Sequence, residues 1–380
     1  MRILITGGAI PAKLDSVKYI TNRFKGGLAV KTAKALEALG HEVTFLCWKY
    51  SGIDANFSCP VIRIEDINDY REKVLSFEAD AYILAAAVAN LMPSTPYEKK
   101  FPSHLYSVGE KFDIEFEISP RVIDEIKKIR PRATLIGYKL LDGSDEELIS
   151  ASRKILHESK ANLIFANNPA TAKNRKLAVT QDGSCFEVTF DEHIKLIHNL
   201  IGYKWYTTTV DTSLEFPKLT EEDMWVIENY PKTNIDNLIF GTFAVKKDEG
   251  FITTTRGKTG NGLCFVKEVD HQSMKITANN KATLNTPLLD EIFVQSIKKR
   301  NPLKYLFHGH DYKFKDIPTL YDYYFPGTKD DLIHAYYGLY LKDDFMVNLK
   351  YHGYIYGTNS IVLAQLHFHT KYSSQNTRKV

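Results

Sequence analysis

The sequence predicts an α/β protein: a parallel sheet covered by helices on both faces in the N-terminal half, then a differently built domain. Three observations carry that expectation. The chain has 380 residues, more than one hydrophobic core usually holds, so two domains are expected. Its first half alternates short, continuously apolar runs with segments of helical spacing, as strands buried on both faces do. After about residue 205 the texture turns threonine- and aromatic-rich with fewer long helices, which sets a boundary between 200 and 215.

In order, Arg2–Thr6 reads as a strand that stops at Gly7-Gly8. Leu28, Val30, Ala33, Leu36 and Leu39 lie close to helical spacing, and Gly40 supplies the stop. Val43–Cys47, Ala81–Val88, Ala133–Gly137 and Asn162–Ala166 are the further buried strands, with helical patterns at Arg121–Ile129 and Glu146–His157. Lys176–Phe190 reads as a hairpin around Asp182-Gly183. Beyond the boundary, Tyr206–Val210, Gly241–Lys246, Gly250–Thr255 and Tyr305–Phe307 are strand-like, Ile292–Lys299 is helix-like, and Asn359–His369 is a final helix. His367 and His369 on that helix do not share a face and are expected at the surface or an interface.

Charges nearly cancel, 49 − 46 = +3, with both signs spread along the chain. No concentrated basic face is present, so neither nucleic acid nor an anionic membrane is the expected partner. The four cysteines have no C-x-x-C spacing and read as reduced thiols. The start, MRILITGG, has no signal-peptide anatomy, and the longest apolar stretch, Tyr82–Met92, is about half the ~20 residues a span needs. A cytoplasmic protein acting on small molecules is expected.

Ligands of open parallel sheets sit at the carboxyl ends of the strands. Here the first strand ends in Thr6-Gly7-Gly8, and the next helix opens at Gly26-Gly27. Glycine lets backbone N–H groups approach phosphate oxygens closely, and a helix N-terminus adds positive partial charge. The nicotinamide fingerprint G-x-G-x-x-G is absent, as is any Tyr with Lys four residues on.

The longer pattern is more specific. Ile5-Thr6-Gly7-Gly8, Asp15-Ser16-Val17-Lys18-Tyr19-Ile20-Thr21-Asn22 and Gly26-Gly27 resemble the opening of the phosphopantothenoylcysteine synthetase family. Ala85–Asn90 is similar to that family's alanine-rich strand, Lys100-Phe101-Pro102-Ser103 to its Lys-Ile-x-Ser element, and Gly137-Tyr138-Lys139-Leu140 to its Phe-Lys-Leu segment. Asn162–Asn167 resembles its final strand, so the likeness covers roughly residues 1 to 195. Lys18 stands where the family has arginine, and Phe24-Lys25 replaces a serine pair.

The resemblance implies a Rossmann-like ligase domain over residues 1–205 that works in two steps. A carboxylate such as 4′-phosphopantothenate attacks the α-phosphate of CTP or ATP, carried with Mg2+, and the amine of cysteine then displaces the nucleotide. A carboxylate and a polyphosphate repel, so cations must neutralise charge in the transition state. Lys18 and Lys139 suit that need, with Lys154 and Lys160 as further candidates. Asn22 suits the reactive anhydride, because an amide donates hydrogen bonds without charge. The nucleotide would lie against Gly7, Gly8, Asp15, Gly26, Gly27, Ala87 and Asn167.

In the second half, His308-Gly309-His310 follows a strand, and i and i+2 of a strand share a face, so both imidazoles can reach one ion. His352 is a third candidate, and three histidines with an open position suit catalytic zinc. Thr253-Thr254-Thr255-Arg256-Gly257, Thr286-Pro287, Asp290-Glu291, the His-x-His and His352-Gly353 together resemble the class II aldolase/adducin-like family, over about residues 213 to 375. That likeness implies an α/β/α domain with a mainly antiparallel sheet at 213–380. His308, His310 and His352 would bind Zn2+ or another divalent metal, and Glu291, or failing it Asp290, would be the acid/base. Thr242, Thr254, Thr255 and Gly257 would face a substrate phosphate. The implied activity is aldolase, epimerase or dehydratase chemistry on a small phosphorylated carbonyl compound. Two alternatives are a ligase with a non-catalytic aldolase-like oligomerisation module, and a nicotinamide-dependent reductase. Both families form homo-oligomers, so a dimer or tetramer is expected.

Overall fold

The structure is a computed structural model that describes residues 1–53, 58–172, 175–258, 262–310 and 314–376, the side chains of 258 and 369–376 apart. The chain forms two compact units, one of Met1–Gln181 with Cys185–Gly202, the other of Asp182–Ser184 with Tyr203–Val380.

The first unit is built on eight strands: β1 (Arg2–Thr6), β2 (Glu42–Trp48), β3 (Val61–Ile64), β4 (Ala81–Leu84), β5 (Thr134–Leu140), β6 (Leu163–Asn167), β7 (Lys176–Thr180) and β8 (Cys185–Val188). Their spatial order is β8-β7-β6-β5-β4-β1-β2-β3. The run β3-β2-β1-β4-β5-β6 is parallel throughout, the order of a doubly wound nucleotide-binding fold, whose direction reverses between β1 and β4. The sheet is mixed, not purely parallel. β7 and β8 add antiparallel at one edge, because a tight turn at Asp182-Gly183, with Gly183 at φ 83°, can only return a strand antiparallel.

Helices α1 (Gly27–Ala38), α2 (Ile67–Ser76), α3 (Ile123–Ile129), α4 (Asp145–Ser159) and α5 (Phe190–Gly202) cover the sheet. α2, α3 and α4 bury Tyr70, Val74, Ile126 and Leu156 against Leu4, Tyr82, Leu135 and Ile164, while α1 and α5 lie against one another. Ser144 and Glu147 form a reciprocal cap that starts α4. The segment expected as one strand over Ala81–Val88 divides. β4 ends at Leu84, and Ala87–Val88 pairs instead with Ala9–Ile10, because the Ala87 N–H turns to the Gly8 carbonyl, 2.9 Å away.

The second unit carries β9 (Thr207–Val210), β10 (Thr242–Lys246), β11 (Phe251–Thr254), β12 (Leu263–Asp270), β13 (Lys275–Ala278), β14 (Tyr305–Gly309), β15 (Leu339–Tyr340), β16 (Asp344–Leu349) and β17 (Gly353–Thr358). They stand in the order β9-β13-β12-β11-β10-β14-β17-β16-β15. All neighbours are antiparallel except β9 and β13. One face packs against α7 (Thr286–Lys298) and α8 (Ile333–Tyr337), the other against α6 (Glu221–Asn229) and α9 (Ile361–Asn376). α7 begins before the expected Ile292, since Pro287 in its first turn needs no N–H partner. His367 is not a free surface residue, because its ring stacks on Tyr356 at 4.0 Å. The His369 side chain lies outside the described residues. Among the described residues no helix is long and apolar enough to cross a membrane.

Candidate functional site

The carboxyl ends of β1, β4, β5 and β6 form one edge of the first unit, and most of the expected ligase residues gather there. Gly7 is compelled by packing: a Cβ would lie 2.5 Å from the Phe45 ring and 2.6 Å from Ala29. Gly26 caps α1 at φ 75°, and a Cβ there would lie 2.5 Å from the Gly8 nitrogen. The two glycine pairs, far apart in sequence, therefore touch through their backbones. α1 starts with no side-chain cap and no acidic residue in its first turn, so among the described residues neither a cap side chain nor a first-turn acid serves its leading N–H groups. Among the described residues nothing lies within 4 Å of a Cβ built on Gly27. That combination suits an anion.

Asn22 and Ala87 meet at this edge, the Asn22 amide donating to the Ala87 carbonyl at 3.0 Å. Lys139 and Asn167 end adjacent strands, in register pairs with Ala166 and Leu140. Asn167 is 8 % exposed, and among the described residues its Oδ1 has no partner.

Asp15 is placed differently from expectation. It is fully buried, and its carboxylate accepts from the N–H groups of Val17, Lys18 and Phe101 and from the Lys18 amine at 2.8 Å. Burial opposes its ionisation, yet the Lys18 amine and those N–H groups outweigh burial and hold the carboxyl well below the usual range. Asp15 thus anchors the loop from inside, and Lys18 is already paired with it. Lys154 and Lys160 are also not brought to the edge. α4 runs back along the sheet, so Lys160 closes it just before β6 starts, at the opposite end. Lys154 is 75 % exposed on that helix, 4.0 Å from Glu158.

Three groups at this edge escaped the sequence reading. Lys176 opens β7 one step past the Ala166–Leu177 pair, which sets it beside Asn167. Tyr138, next to Lys139, lies 2.6 Å from Nε2 of the buried His193 of α5. Burial, and then the Lys176 charge, push the His193 imidazole down to about 3, so it is neutral at pH 7. Alternation along β7 was the one available signal for Lys176, and its face is fixed only once the hairpin register is known.

In the second unit His308 and His310 face each other with their Nε2 atoms 3.0 Å apart. Tyr351 at φ 60° and Gly353 at φ 105° turn the chain between β16 and β17. A Cβ on Gly353 would lie 2.0 Å from the Gly309 carbonyl, so only glycine permits the approach that seats His352 beside the pair. Ligand atoms of His308, His310 and His352 all lie within 4.8 Å of one another. His308 Nδ1 donates to the Tyr354 carbonyl at 2.8 Å, which leaves Nε2 as a lone pair. His352 is 3 % exposed; among the described residues its Nε2 has no hydrogen-bond partner, and it stands 3.4 Å from the Asp182 carboxylate. Burial pushes His352 down to about 3, so it too is neutral. Three clustered imidazoles, His352 kept neutral by burial and His308 oriented by a backbone carbonyl, are a donor set that suits zinc.

Other expected residues lie apart from that set. Glu291 is buried on α7, where Oε1 accepts from Gln295 at 2.6 Å and Oε2 is 3.4 Å from His271. Asp290 contacts the same His271 at 3.0 Å. Thr242 and Thr254 are 1 % exposed and bond to one another at 2.7 Å, and Thr255 is fully buried. These hydroxyls are therefore not presented to solvent; Gly257, at φ 70°, is exposed.

A doubly wound α/β unit with two glycine pairs in contact at its carboxyl edge, in a chain whose second unit carries a three-histidine cluster, defines the class of protein. The model of the DNA/pantothenate metabolism flavoprotein C-terminal domain matches residues 1–194, half of the chain, and the chain belongs to that family. A coenzyme A biosynthesis bifunctional protein CoaBC from Thermococcus kodakarensis is 33% identical over 171 residues, which is 44% of this chain and 41% of that protein. A cysteine/cysteine sulfinic acid decarboxylase from an unknown prokaryotic organism is 29% identical over 157 residues, 40% of this chain and 42% of its own. The crystal structure of the DNA/pantothenate metabolism flavoprotein from Streptococcus pneumoniae is 24% identical, with a TM-score of 0.46, over 53% of this chain and 98% of that one. The chain thus spans about two fifths of the length of the curated relatives it matches.

Proposed function

We propose that the N-terminal unit, residues 1–205, is a nucleotide-dependent amide ligase of coenzyme A biosynthesis. It joins an activated carboxylate such as 4′-phosphopantothenate to cysteine or a related amine, using CTP or ATP with Mg2+. The single observation that carries this is the contact of Gly8 with Gly26 beneath the uncapped start of α1, beside the Asn22–Ala87 bond. Family membership of this half of the chain supports it. In this reading the α1 N–H groups and Gly7, Gly8, Gly26 and Gly27 hold the phosphates. Lys139 neutralises charge as the carboxylate approaches, and Asn22 steadies the nucleotidylate by donating hydrogen bonds. Magnesium rides on the triphosphate and screens its charge. The test is pyrophosphate release with each nucleotide against phosphorylated acids, with cysteine supplied as amine.

For the second unit, residues 213–380, the geometry supports a metal centre best, and we propose that His308, His310 and His352 hold zinc. When bound, zinc would supply Lewis acidity toward a substrate oxygen. An aldolase-, epimerase- or dehydratase-like reaction, with Glu291 as its proton-transfer group, follows from the class II aldolase resemblance. Metal analysis separates this from a non-catalytic oligomerisation module: near-stoichiometric zinc lost in His308→Ala supports the centre, and metal-free wild type supports the module. A homo-oligomer is part of the proposal. It is supported in the first unit by apolar side chains left in solvent, among them Leu105 at 71%, Phe112 at 48% and Ile118 at 73% exposure.

A further inference from the structure

We infer that the first unit carries a phosphate-binding subsite beside the glycine pairs, built on Lys176 at the start of β7. The inference deepens the ligase reading and rests on it for the source of the phosphate, nucleotide or phosphorylated acid.

Lysine is almost never buried unless paired, yet Lys176 is 8 % exposed. Among the described residues its amine has no carboxylate within ion-pair distance, and its one hydrogen bond goes to the Ala172 carbonyl at 3.4 Å. That is long for a charged donor, and an ammonium carries three N–H groups. The neighbours add cation, not anion. Burial first, and then the charge of Lys31, hold the Lys176 ammonium below its ordinary value. The same Lys176 charge adds to burial in depressing His193.

Neutral polar groups complete the place. Asn167, beside Lys176 and 8 % exposed, has no partner for its acceptor Oδ1 among the described residues. The Tyr138 hydroxyl, kept protonated by burial, bonds to His193 at 2.6 Å. A buried ammonium with a single long hydrogen bond at the ligand edge of a parallel sheet is costly when alone. A phosphate dianion supplies the missing acceptors, because the ammonium N–H groups then donate to its anionic oxygens.

The test compares wild type, Lys176→Met, Lys176→Arg and Lys31→Ala by calorimetry, with inorganic tripolyphosphate, CTP and 4′-phosphopantothenate as probes. Losing a charged hydrogen bond weakens binding by about 10- to 100-fold, and that loss is expected for Lys176→Met. Lys176→Arg should stay within about threefold of wild type, since it keeps the charge. Lys31→Ala, on the exposed helix face, should lose about threefold at low salt and less at high salt. Without ligand, Lys176→Met should melt no lower than wild type, which separates lost binding from lost folding. Loss confined to tripolyphosphate and CTP assigns the subsite to the nucleotide; loss confined to 4′-phosphopantothenate assigns it to the acid. Unchanged affinity for all three probes in Lys176→Met overturns the inference, as does a wild type that binds none. Lys176-dependent phosphate binding in a wild type that never releases pyrophosphate would leave the subsite standing and remove the ligase reading instead.

Discussion

Gly26 and Gly27 are adjacent in sequence and should respond oppositely to the same change. Alanine at position 26 must adopt φ 75° with its Cβ 2.5 Å from the Gly8 nitrogen and 2.9 Å from the Gly8 Cα. The left-handed conformation costs about 1–2 kcal/mol, and backbone crowding that a side-chain rotation cannot relieve adds about 1–3 kcal/mol. Gly26→Ala should therefore lose about 2–5 kcal/mol of stability. Alanine at position 27 meets nothing within 4 Å and sits in the first turn of α1. There it should be neutral or stabilising by up to about 0.5 kcal/mol, since alanine loses less backbone entropy than glycine. The same open space is where the phosphates are proposed to lie, so the Gly27→Ala methyl should weaken nucleotide binding about tenfold, or 1.4 kcal/mol. Urea unfolding followed by a probe in the first unit reads stability, and calorimetry with CTP and ATP reads affinity. A Gly27→Ala protein with wild-type affinity, or a Gly26→Ala protein as stable as wild type, would refute the reasoning.

Further outcomes follow from individual contacts. Asp15 has a folded-state pKa below its ordinary 3.8, so its contribution is fully present above 3.8 and is lost as pH falls toward the folded value. The stability difference between wild type and Asp15→Asn should be flat from pH 8 to 5 and shrink below about pH 4; a difference that varies near neutrality would contradict the assignment. His193 has the opposite bearing on pH. Its folded-state pKa is about 3 against an ordinary 6.5, so the unfolded state takes up the proton first and stability falls as pH drops below 6.5. Between pH 8 and pH 5 the loss should be about 2 kcal/mol, and it should be absent in His193→Phe when both are unfolded in urea at each pH. Asn22→Asp sets a carboxylate against the Ala87 carbonyl that Asn22 now serves at 3.0 Å, which leaves a buried-side acceptor unmet at about 1–3 kcal/mol. Amide formation should fall by at least tenfold, and unchanged turnover would count against its role. His352→Gln should abolish zinc uptake measured by equilibrium dialysis without shifting the melting of the first unit.

Much of the first unit was legible in the sequence, because apolar runs such as Arg2–Thr6 and Leu163–Phe165 are buried on both faces and need no partner to be recognised. The glycine pairs were legible for the same local reason. What escaped depended on register and direction. Lys160 reads as a neighbour of Asn162, yet α4 runs antiparallel to the strands and delivers it to the far end of the sheet. Asp15 looks like an exposed ligand until three backbone N–H groups and Lys18 converge on it. Lys176 looks like a surface lysine, and only its pairing position beside Asn167 reveals it as buried. In the second unit the His-x-His and His352 were readable as a cluster, since strand alternation and a glycine turn are short-range properties. Glu291 was not. One helical residue's partners follow from tertiary packing, and here they are Gln295 and His271.

The most direct measurement is single-turnover pyrophosphate release by the purified chain given CTP or ATP with magnesium, 4′-phosphopantothenate and cysteine. A ligase built on this carboxyl edge should release one pyrophosphate per amide formed with at least one of the two nucleotides, and Gly27→Ala should suppress both products together. Amide and pyrophosphate absent with both nucleotides, while reduced nicotinamide cofactor binds tightly, would contradict it.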